Sequence, residues 1–256
     1  MPKNARWSSK FEIKLGSWVF VPTDETVEYG QKVKKAIEDR WSPPSFYYHL
    51  RDGGHVQALS SHTNSDFFIH LDISNFFGCI NKSRVTRCLK GLFPYNQARE
   101  IAVESTVRDP NYSGVEKYIL PFGFVQSPVI ASLCLQQSRI GRYLSDLNNM
   151  DAYKVSVYMD DIVISSNSDA DLSNVLSEVK PIADRAGFPL NEAKEEGPAG
   201  KITAFNIELS KGVLTLTEER LQDFIAAYRE SDSFNVISGI VGYVTTVNKG
   251  QAAKIV

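Results

Sequence analysis

The 256-residue sequence predicts an α+β fold, a sheet with helices on one face. Three observations carry that expectation. A short apolar run, FFIHLDI (67–73), reads as a buried strand. Two β-rich arms surround a central Met-Asp-Asp in YKVSVYMDDIVIS (153–165), which reads as a hairpin with acids at its turn. Helical stretches lie between and after these segments, so the order is strand, helices, hairpin, helix, then a second hairpin.

Each element has a local cause. Trp41-Ser-Pro-Pro-Ser45 is a rigid turn that joins two substructures. Arg51-Asp-Gly-Gly-His55 reads as a hairpin tip, because Asp-Gly and Gly-Gly favour tight turns. After the first strand, Ser83 caps a helix through Phe93 that Pro94 ends, and residues 96–107 form a second helix. Pro128 suits the first turn of another helix, running through Leu144. Asp169 to Ala186 reads as a helix that Pro181 bends or ends early, with Gly187 as its stop. Residues 201–209 and 212–216 are strand-like on either side of Lys211-Gly212. Thr217 then caps a helix to Glu230, with Glu218 and Glu219 favourably placed in its first turn.

Composition narrows the function classes. The chain is 43% hydrophobic and 23% charged, as expected of one large globular domain or a core with small appendages. No apolar run approaches the roughly 18–20 residues of a membrane span. The N-terminal stretch MPKNARWSSKFEIK lacks the apolar segment of a secretion signal. The expected compartment is therefore the cytoplasm, with no membrane partner. Cys79, Cys88 and Cys134 lack metal-ligand spacing and read as reduced core thiols. His49, His55, His62 and His70 show no ligand spacing either and read as structural or surface groups. A net charge of −2 argues against a large phosphate-binding footprint. Local distribution matters, however. No acid occurs between Ile73 and Arg99, where Lys82, Arg84, Arg87, Lys90 and Arg99 form a basic tract. That tract is either a nucleic-acid contact or a solvated helix face.

Two features carry chemistry. Asp72 is an acid inside an apolar strand, where a charge is costly unless paired or bound to a metal. Asp160 and Asp161 are adjacent acids between apolar strand arms. Clustered carboxylates repel one another without a cation. Mg²⁺ takes oxygen ligands, usually one or two carboxylates with substrate phosphates and water. Two such ions can clamp the attacking and leaving oxygens of a phosphoryl transfer. Each motif alone has a plainer reading: a satisfied hydrogen-bonder for Asp72, and turn chemistry for Asp160-Asp161.

Five blocks, in order, resemble the reverse transcriptase family: LDISNFF (71–77), LPFGFVQSP (120–128), YMDD (158–161), GFPLNEAK (187–194) and ITAFNIEL (202–209). The resemblance spans residues 45–216. It implies a right-hand polymerase fold with palm and fingers and a short or reduced thumb. The N-terminal region and fingers would occupy 1–66, and the palm with interleaved fingers elements 67–212. The primer-grip end and a short thumb-like helical region would occupy 213–256.

The resemblance also implies site roles. Asp72, Asp160 and Asp161, with Ile73 beside the first, would hold two Mg²⁺ ions, Mn²⁺ being the alternative ion. Lys194 would face the triphosphate and protonate the pyrophosphate leaving group; its plainer reading is a solvated lysine among Glu192, Glu195 and Glu196. Phe77 would sit under the incoming sugar as a gate against a 2′-hydroxyl, or else share the core with Phe76. Gly123 would let backbone approach the nucleotide closely. Gln126 and Ser127 would line the template–nucleotide side, cap the helix start, or both. Arg51 would reach the triphosphate or lie on the surface. Tyr158 and Met159 would line the hairpin near the primer terminus, and Phe205 and Asn206 would belong to the primer grip.

The chain departs from the family pattern at two places. Phe122 stands where many members have glutamine, and Phe205-Asn206-Ile207 replaces the usual Phe-Leu-Gly. The Phe-Gly-Phe-x-Gln-Ser-Pro block is similar to bacterial defence-associated and abortive-infection reverse transcriptases. The implied activity is an RNA-directed DNA polymerase, a nucleotidyltransferase that adds deoxynucleotides to a primer 3′-hydroxyl in antiphage defence. Its implied partners are dNTPs, an RNA template such as a dedicated noncoding RNA, the nucleic-acid product, and a protein partner or second copy. The rival readings are template-independent or protein-primed DNA synthesis by the same acids, and a non-catalytic RNA-binding or assembly module. Met159 and Phe77 point away from an RNA-dependent RNA polymerase. The absence of a Gly-Gly-Asp/Glu-Glu-Phe signature points away from a palm-type nucleotide cyclase.

Overall fold

The structure, a computed structural model, describes residues 5–114 and 116–255. The first four residues of the N-terminal stretch read for a secretion signal lie outside the described residues. In chain order the elements begin with β1 (Trp7–Lys14), β2 (Ser17–Pro22), α1 (Asp24–Glu38), α2 (Gly54–Ser60), β3 (Phe67–Asp72), α3 (Lys82–Leu89) and α4 (Tyr95–Glu104). There follow β4 (Val107–Arg108), β5 (Tyr118–Ile119), α5 (Ser127–Gln136), α6 (Arg139–Asn148), β6 (Lys154–Tyr158), β7 (Asp161–Ser166), α7 (Asp169–Ala186) and β8 (Glu196–Ala199). The C-terminal part holds β9 (Lys201–Ala204), β10 (Ile207–Ser210), β11 (Val213–Leu216), α8 (Glu218–Glu230), α9 (Phe234–Val247) and α10 (Lys249–Ala252). The chain is thus mixed α+β.

Two compact units divide it. One contains the chain up to Pro44, Ile73–Tyr143 and Ile182–Pro189; the other contains Ser45–Asp72, Leu144–Pro181 and the chain from Leu190 onward.

The second unit is built on an antiparallel sheet of order β6-β7-β3-β8. Alternation along β3 sends Ile69 and Leu71 to one face and Phe68, His70 and Asp72 to the other. Ile69 pairs with Ile164 and Leu71 with Ile162, so that first face is buried and aliphatic. On the second face, Phe68 and Val163 join one core with Leu59, Ile202, Leu209, Leu221 and Val244. This core draws on α2, α8, α9 and a three-stranded sheet of order β11-β10-β9. Apolar burial therefore holds the inner end of β3 and β7, and the acids occupy the other end.

The tight turn between β9 and β10 explains a difference from the sequence reading. Residues 201–209 form two strands, because Phe205 and Asn206 both take left-handed backbone, φ 58° and 60°. Two positive φ values in succession are what a two-residue type I′ hairpin turn requires. Thr217 caps α8 as expected, its Oγ1 accepting from the Arg220 N–H. Gln251 of α10 brackets Leu216 of β11, accepting from its N–H at 2.7 Å and donating to its carbonyl at 2.9 Å.

Other corrections have equally local causes. Residues 51–55 are not a hairpin tip; Gly53 and Gly54 adopt φ 89° and 55° and lead into α2. The helix expected to be capped by Ser83 begins two residues earlier, capped by Asn81, whose Oδ1 accepts from the Arg84 N–H at 2.9 Å. It ends at Leu89, and Pro94 serves as the N-cap residue of α4. The helix expected from Pro128 to Leu144 breaks after Gln136, and Ser138 Oγ accepts from the Gly141 N–H to start α6. Pro181 lies within α7 and does not end it.

In the first unit, β1 and β2 form an antiparallel hairpin, and the Phe20 N–H donates to the Phe122 carbonyl at 2.9 Å. Neither β1, β2 nor α1 was anticipated from the sequence. Some of the basic tract is structural: the Arg84 guanidinium donates to the carbonyls of Ala186 and Gly187 and lies 4.5 Å over the Phe188 ring. Cys88 and Cys134 are buried thiols and Cys79 is half-buried, all unbridged.

Candidate active site

Asp72 is the last residue of β3 and Asp161 the first of β7, and the two are direct cross-strand partners. Tyr158 pairs with Asp161, so Met159 and Asp160 alone make the hairpin turn between β6 and β7. Such a turn needs positive φ at its first residue, and Met159 supplies it at φ 59°. A non-glycine residue there is strained and needs support. Support comes from His49, whose Nδ1 accepts from the Met159 N–H at 3.0 Å.

Asp72 is 4% exposed and is held on three sides. Lys194 Nζ donates to Oδ2 at 2.6 Å, Asn191 Nδ2 to Oδ1 at 3.3 Å, and the Asn191 N–H to the Asp72 carbonyl at 2.8 Å. Asn191 Oδ1 also accepts from the Ala193 N–H, which caps the short turn that carries Lys194. Asp161 accepts at Oδ1 from His70 Nε2, 2.8 Å away. Sequence reasoning missed Asn191, His70 and His49. The only signal for any of them was that His70, like Asp72, is a polar residue inside an apolar strand.

Electrostatics follow from this crowding. Burial pushes the Asp160 carboxyl up to about 6, and the neighbouring charges of Asp161 and Asp72 push in the same direction. The hydrogen bond to Asp72 raises Lys194 above the ordinary lysine value, and the three acid charges add to that. Among the described residues, no three His, Cys, Asp or Glu groups converge to enclose a metal ion by themselves. The acids nevertheless fit a hard divalent cation. They crowd like charges at one strand end, and an ammonium group already lies against Asp72. A set of few carboxylates completed by phosphate and water is the usual arrangement for Mg²⁺.

Aromatic groups flank the hairpin. Tyr158 packs edge-on against Phe205 at 5.3 Å, and His55 lies 5.8 Å from Tyr158 and 5.3 Å from Phe205. His55 Nε2 is 3.0 Å from the hydroxyl of Tyr243 on α9. Asn206 is exposed, and its carbonyl accepts from the Thr217 N–H. Arg51 is exposed, donates to the Ser45 carbonyl and lies 5.0 Å over the Tyr48 ring, so its partners are local.

The remaining sequence-predicted residues belong to the first unit. Phe76 is core, while Phe77 is half-buried with its ring 5.8 Å from that of the exposed Phe122. The Ile73 side chain is buried. Gln126 and Ser127 are fully buried, so neither side chain lines an open surface here. Gln126 makes no capping bond to α5; its Nε2 donates to Ser105 Oγ at 3.2 Å. Gly123 has φ 117°, and a Cβ there would lie 2.2 Å from the Phe20 carbonyl oxygen. Its lack of a side chain is explained by backbone pairing with β2.

Comparison with known proteins adds three findings. The family profile described as reverse transcriptase (RNA-dependent DNA polymerase) matches residues 22–203. The chain is 24% identical over 210 residues to the Retron Se72 reverse transcriptase of Salmonella heidelberg, covering 78% of this chain and 53% of that protein. It thus spans about half the length of the curated relative it matches. Among solved structures, a foamy viral protease–reverse transcriptase in complex with double-stranded DNA is 17% identical, covering 91% of this chain and 34% of that chain with a TM-score of 0.49. Telomerase from Candida albicans, in complex with a fragment of telomeric RNA, is 8% identical, covering 94% of this chain and 44% of that chain with a TM-score of 0.47. Among the described residues, no helix is long and apolar enough to cross a membrane.

Proposed function

Because the chain belongs to the reverse transcriptase family, we propose that it adds deoxynucleotides to a primer 3′-hydroxyl on an RNA template, with Asp72, Asp160 and Asp161 as its catalytic acids. The observation that supports this reading best is the direct opposition of Asp72 and Asp161 at the end of two adjacent strands, with Asp160 in the turn beside them. The proposed architecture is a right hand, with palm, fingers and a short thumb in the ranges 67–212, 1–66 and 213–256.

Asp72, Asp160, Asp161 and the carbonyl of Ile73 would hold two Mg²⁺ ions. Those ions, when bound, neutralise the triphosphate and lower the pKa of the attacking hydroxyl. The chain's own residues do the rest. The primer 3′-hydroxyl gives its proton to water, its oxygen attacks the α-phosphate, and the bond to pyrophosphate breaks. Lys194, an ammonium group beside Asp72, would pass a proton to the departing pyrophosphate oxygen. Tyr158 and Phe205, stacked edge-on, with Met159 and Asn206, line the primer end. Phe77 would act as the sugar gate, and Gly123, Gln126, Ser127 and Arg51 would belong to the nucleotide side, Gln126 and Ser127 by supporting it from within, since both side chains are buried. Catalysis is mostly positioning and electrostatics.

The retron relative supports a bacterial setting. There we place the chain in the cytoplasm, in antiphage defence, copying a dedicated noncoding RNA, with a protein partner or second copy. The test is Mg²⁺-dependent dNTP incorporation by the purified chain with its co-purified RNA, beside Asp160→Asn, with the product sequenced. Incorporation lost in the variant, and product complementary to RNA, support the reading. Product without a template would favour terminal or protein-primed synthesis. No incorporation with RNA retained would favour a binding module.

A further inference from the structure

We infer that His70 is the positioning residue of Asp161: its Nε2–H holds one carboxylate oxygen and thereby aims the other at the cation site. This inference deepens the polymerase reading and rests on it. The geometry carries it. His70 and Asp72 share one face of β3, and His70 lies directly opposite Val163 of β7. Asp161 is two residues along β7 from Val163 on the same face, the diagonal position that a long side chain can reach. Nε2 and Asp161 Oδ1 are 2.8 Å apart, with the histidine side chain 9% exposed and the aspartate side chain 21% exposed.

The chemistry of the strand gives the contact its meaning. His70 is flanked by Phe68, Ile69 and Leu71, all buried and apolar. A leucine or valine would suit that position without any polar burden. Instead the chain buries an imidazole whose Nδ1 has no hydrogen-bond partner among the described residues. An unsatisfied buried nitrogen costs stability. A single hydrogen bond to an acid is what that cost accompanies. Asp161 needs the brace because Asp72 faces it across the ladder and repulsion would turn the two carboxylates apart. With Oδ1 held, Oδ2 is left to a ligand. His49 has a parallel role at the neighbouring turn, where its Nδ1 holds the Met159 amide and so the backbone that presents Asp160.

The test compares His70→Gln, His70→Asn and His70→Leu in the full chain. A glutamine amide nitrogen reaches about as far as imidazole Nε2, whereas the asparagine amide stops short of it. The readouts are Mn²⁺ binding, followed by electron paramagnetic resonance of the free ion, and dNTP incorporation on a primed RNA template. Circular dichroism checks folding. His70→Leu and His70→Asn are expected to weaken Mn²⁺ binding by about tenfold or more, the usual loss when an outer partner of a metal ligand is removed. His70→Gln is expected to stay within about threefold of the native chain on the same scale. Native-like Mn²⁺ binding by His70→Asn would overturn the inference, as would a glutamine variant as defective as the asparagine one. If His70→Leu does not fold, the glutamine–asparagine pair decides alone. Mn²⁺ binding that follows this order in a chain that incorporates no dNTP would keep the brace and sink the polymerase reading; normal incorporation indifferent to position 70 would do the reverse.

Discussion

Asp72 and Asp161 face each other directly across the β3–β7 ladder, two carboxylates at the end of adjacent antiparallel strands. Like charges so placed destabilise a sheet. Here each has its own donor, Lys194 Nζ for Asp72 and His70 Nε2 for Asp161. The sheet is anchored at its other end by the core around Phe68 and Val163. The acids are therefore carried by a frame whose apolar core lies elsewhere. Asp72→Asn is expected to fold, to keep a thermal midpoint within a few degrees of the native chain, and to lose at least about a hundredfold in dNTP incorporation, as electrostatic residues at reacting centres do. Thermal unfolding beside single-nucleotide extension checks both halves. Near-native extension would remove Asp72 from the acids.

Lys194 separates pairing from proton donation. Its side chain is half-exposed, so the ion pair with Asp72 contributes at most about 1 kcal/mol to stability. Lys194→Arg keeps a cation near Asp72 but offers a proton far less readily. Lys194→Arg and Lys194→Ala are both expected to slow the chemical step by about a hundredfold or more, the typical worth of general acid catalysis. Single-turnover kinetics would show it. An arginine variant as fast as the native chain would assign Lys194 to charge pairing alone.

The strands and the acids were legible because periodicity and burial speak locally: FFIHLDI and the arms around Met159-Asp160-Asp161 are β3, β6 and β7 almost to the residue. The cap at Thr217 was legible for the same reason. What was not legible depended on contacts distant in sequence. His70 and Asp161 are 91 residues apart, and Asn191 and Asp72 are 119 apart. Nothing in the spacing of four histidines announces that one braces an acid and another a turn amide. Phe205-Asn206 was hidden differently: neither residue is glycine, yet both take positive φ, so a run that reads as one strand is two. Gly123 was hidden too: its close backbone contact with β2, about a hundred residues earlier in the chain, left no local signal.

That contact makes a stability prediction. An alanine Cβ at position 123 would lie 2.2 Å from the Phe20 carbonyl oxygen, on a backbone with φ 117° that L-residues rarely adopt. The strand cannot give way without breaking the bond from the Phe20 N–H to the Phe122 carbonyl. Gly123→Ala is expected to cost about 2 kcal/mol or more, in the range of backbone strain and overpacking. Urea unfolding measures it. An unchanged midpoint would mean that β2 is not bound there.

The β9–β10 turn predicts a contrast at one position. Asn206 tolerates left-handed backbone better than most residues, and glycine better still. Asn206→Gly is therefore expected to be neutral or slightly stabilising. Asn206→Val places a β-branched residue at φ 60° and is expected to cost about 1–2 kcal/mol. Thermal unfolding of the two variants decides; equal midpoints would mean that the turn is not type I′ in solution.

Asp160 gives the metal-free protein a pH dependence whose sign is fixed. Its carboxyl rises from an ordinary 3.8 to about 6, driven first by burial and then by Asp161 and Asp72. The folded state therefore holds this proton more tightly than the unfolded state does. The resulting stability is full below about pH 3.8 and is lost as pH rises through about 6. Partial solvent exposure screens the effect, which is of the order of 1 kcal/mol. His62 works against it in the same window. It is fully buried between Ser156 and Ser165, and burial lowers it to about 3, so its contribution falls as pH drops from 6.5. His49, lowered to about 4 by burial, and His55, lowered by the same cause, act in the same sense as His62, so the net curve of the native chain mixes them all, and only the difference from Asp160→Asn isolates the acid. In chelator, Asp160→Asn is expected to match the native chain near pH 4 once the variant's own offset is set there, and to become relatively more stable by pH 7. Added Mg²⁺ is expected to narrow that gap at pH 7 by stabilising the native chain more than the variant. Parallel stability curves with and without chelator would show that Asp160 is neither crowded by charge nor a member of a cation site.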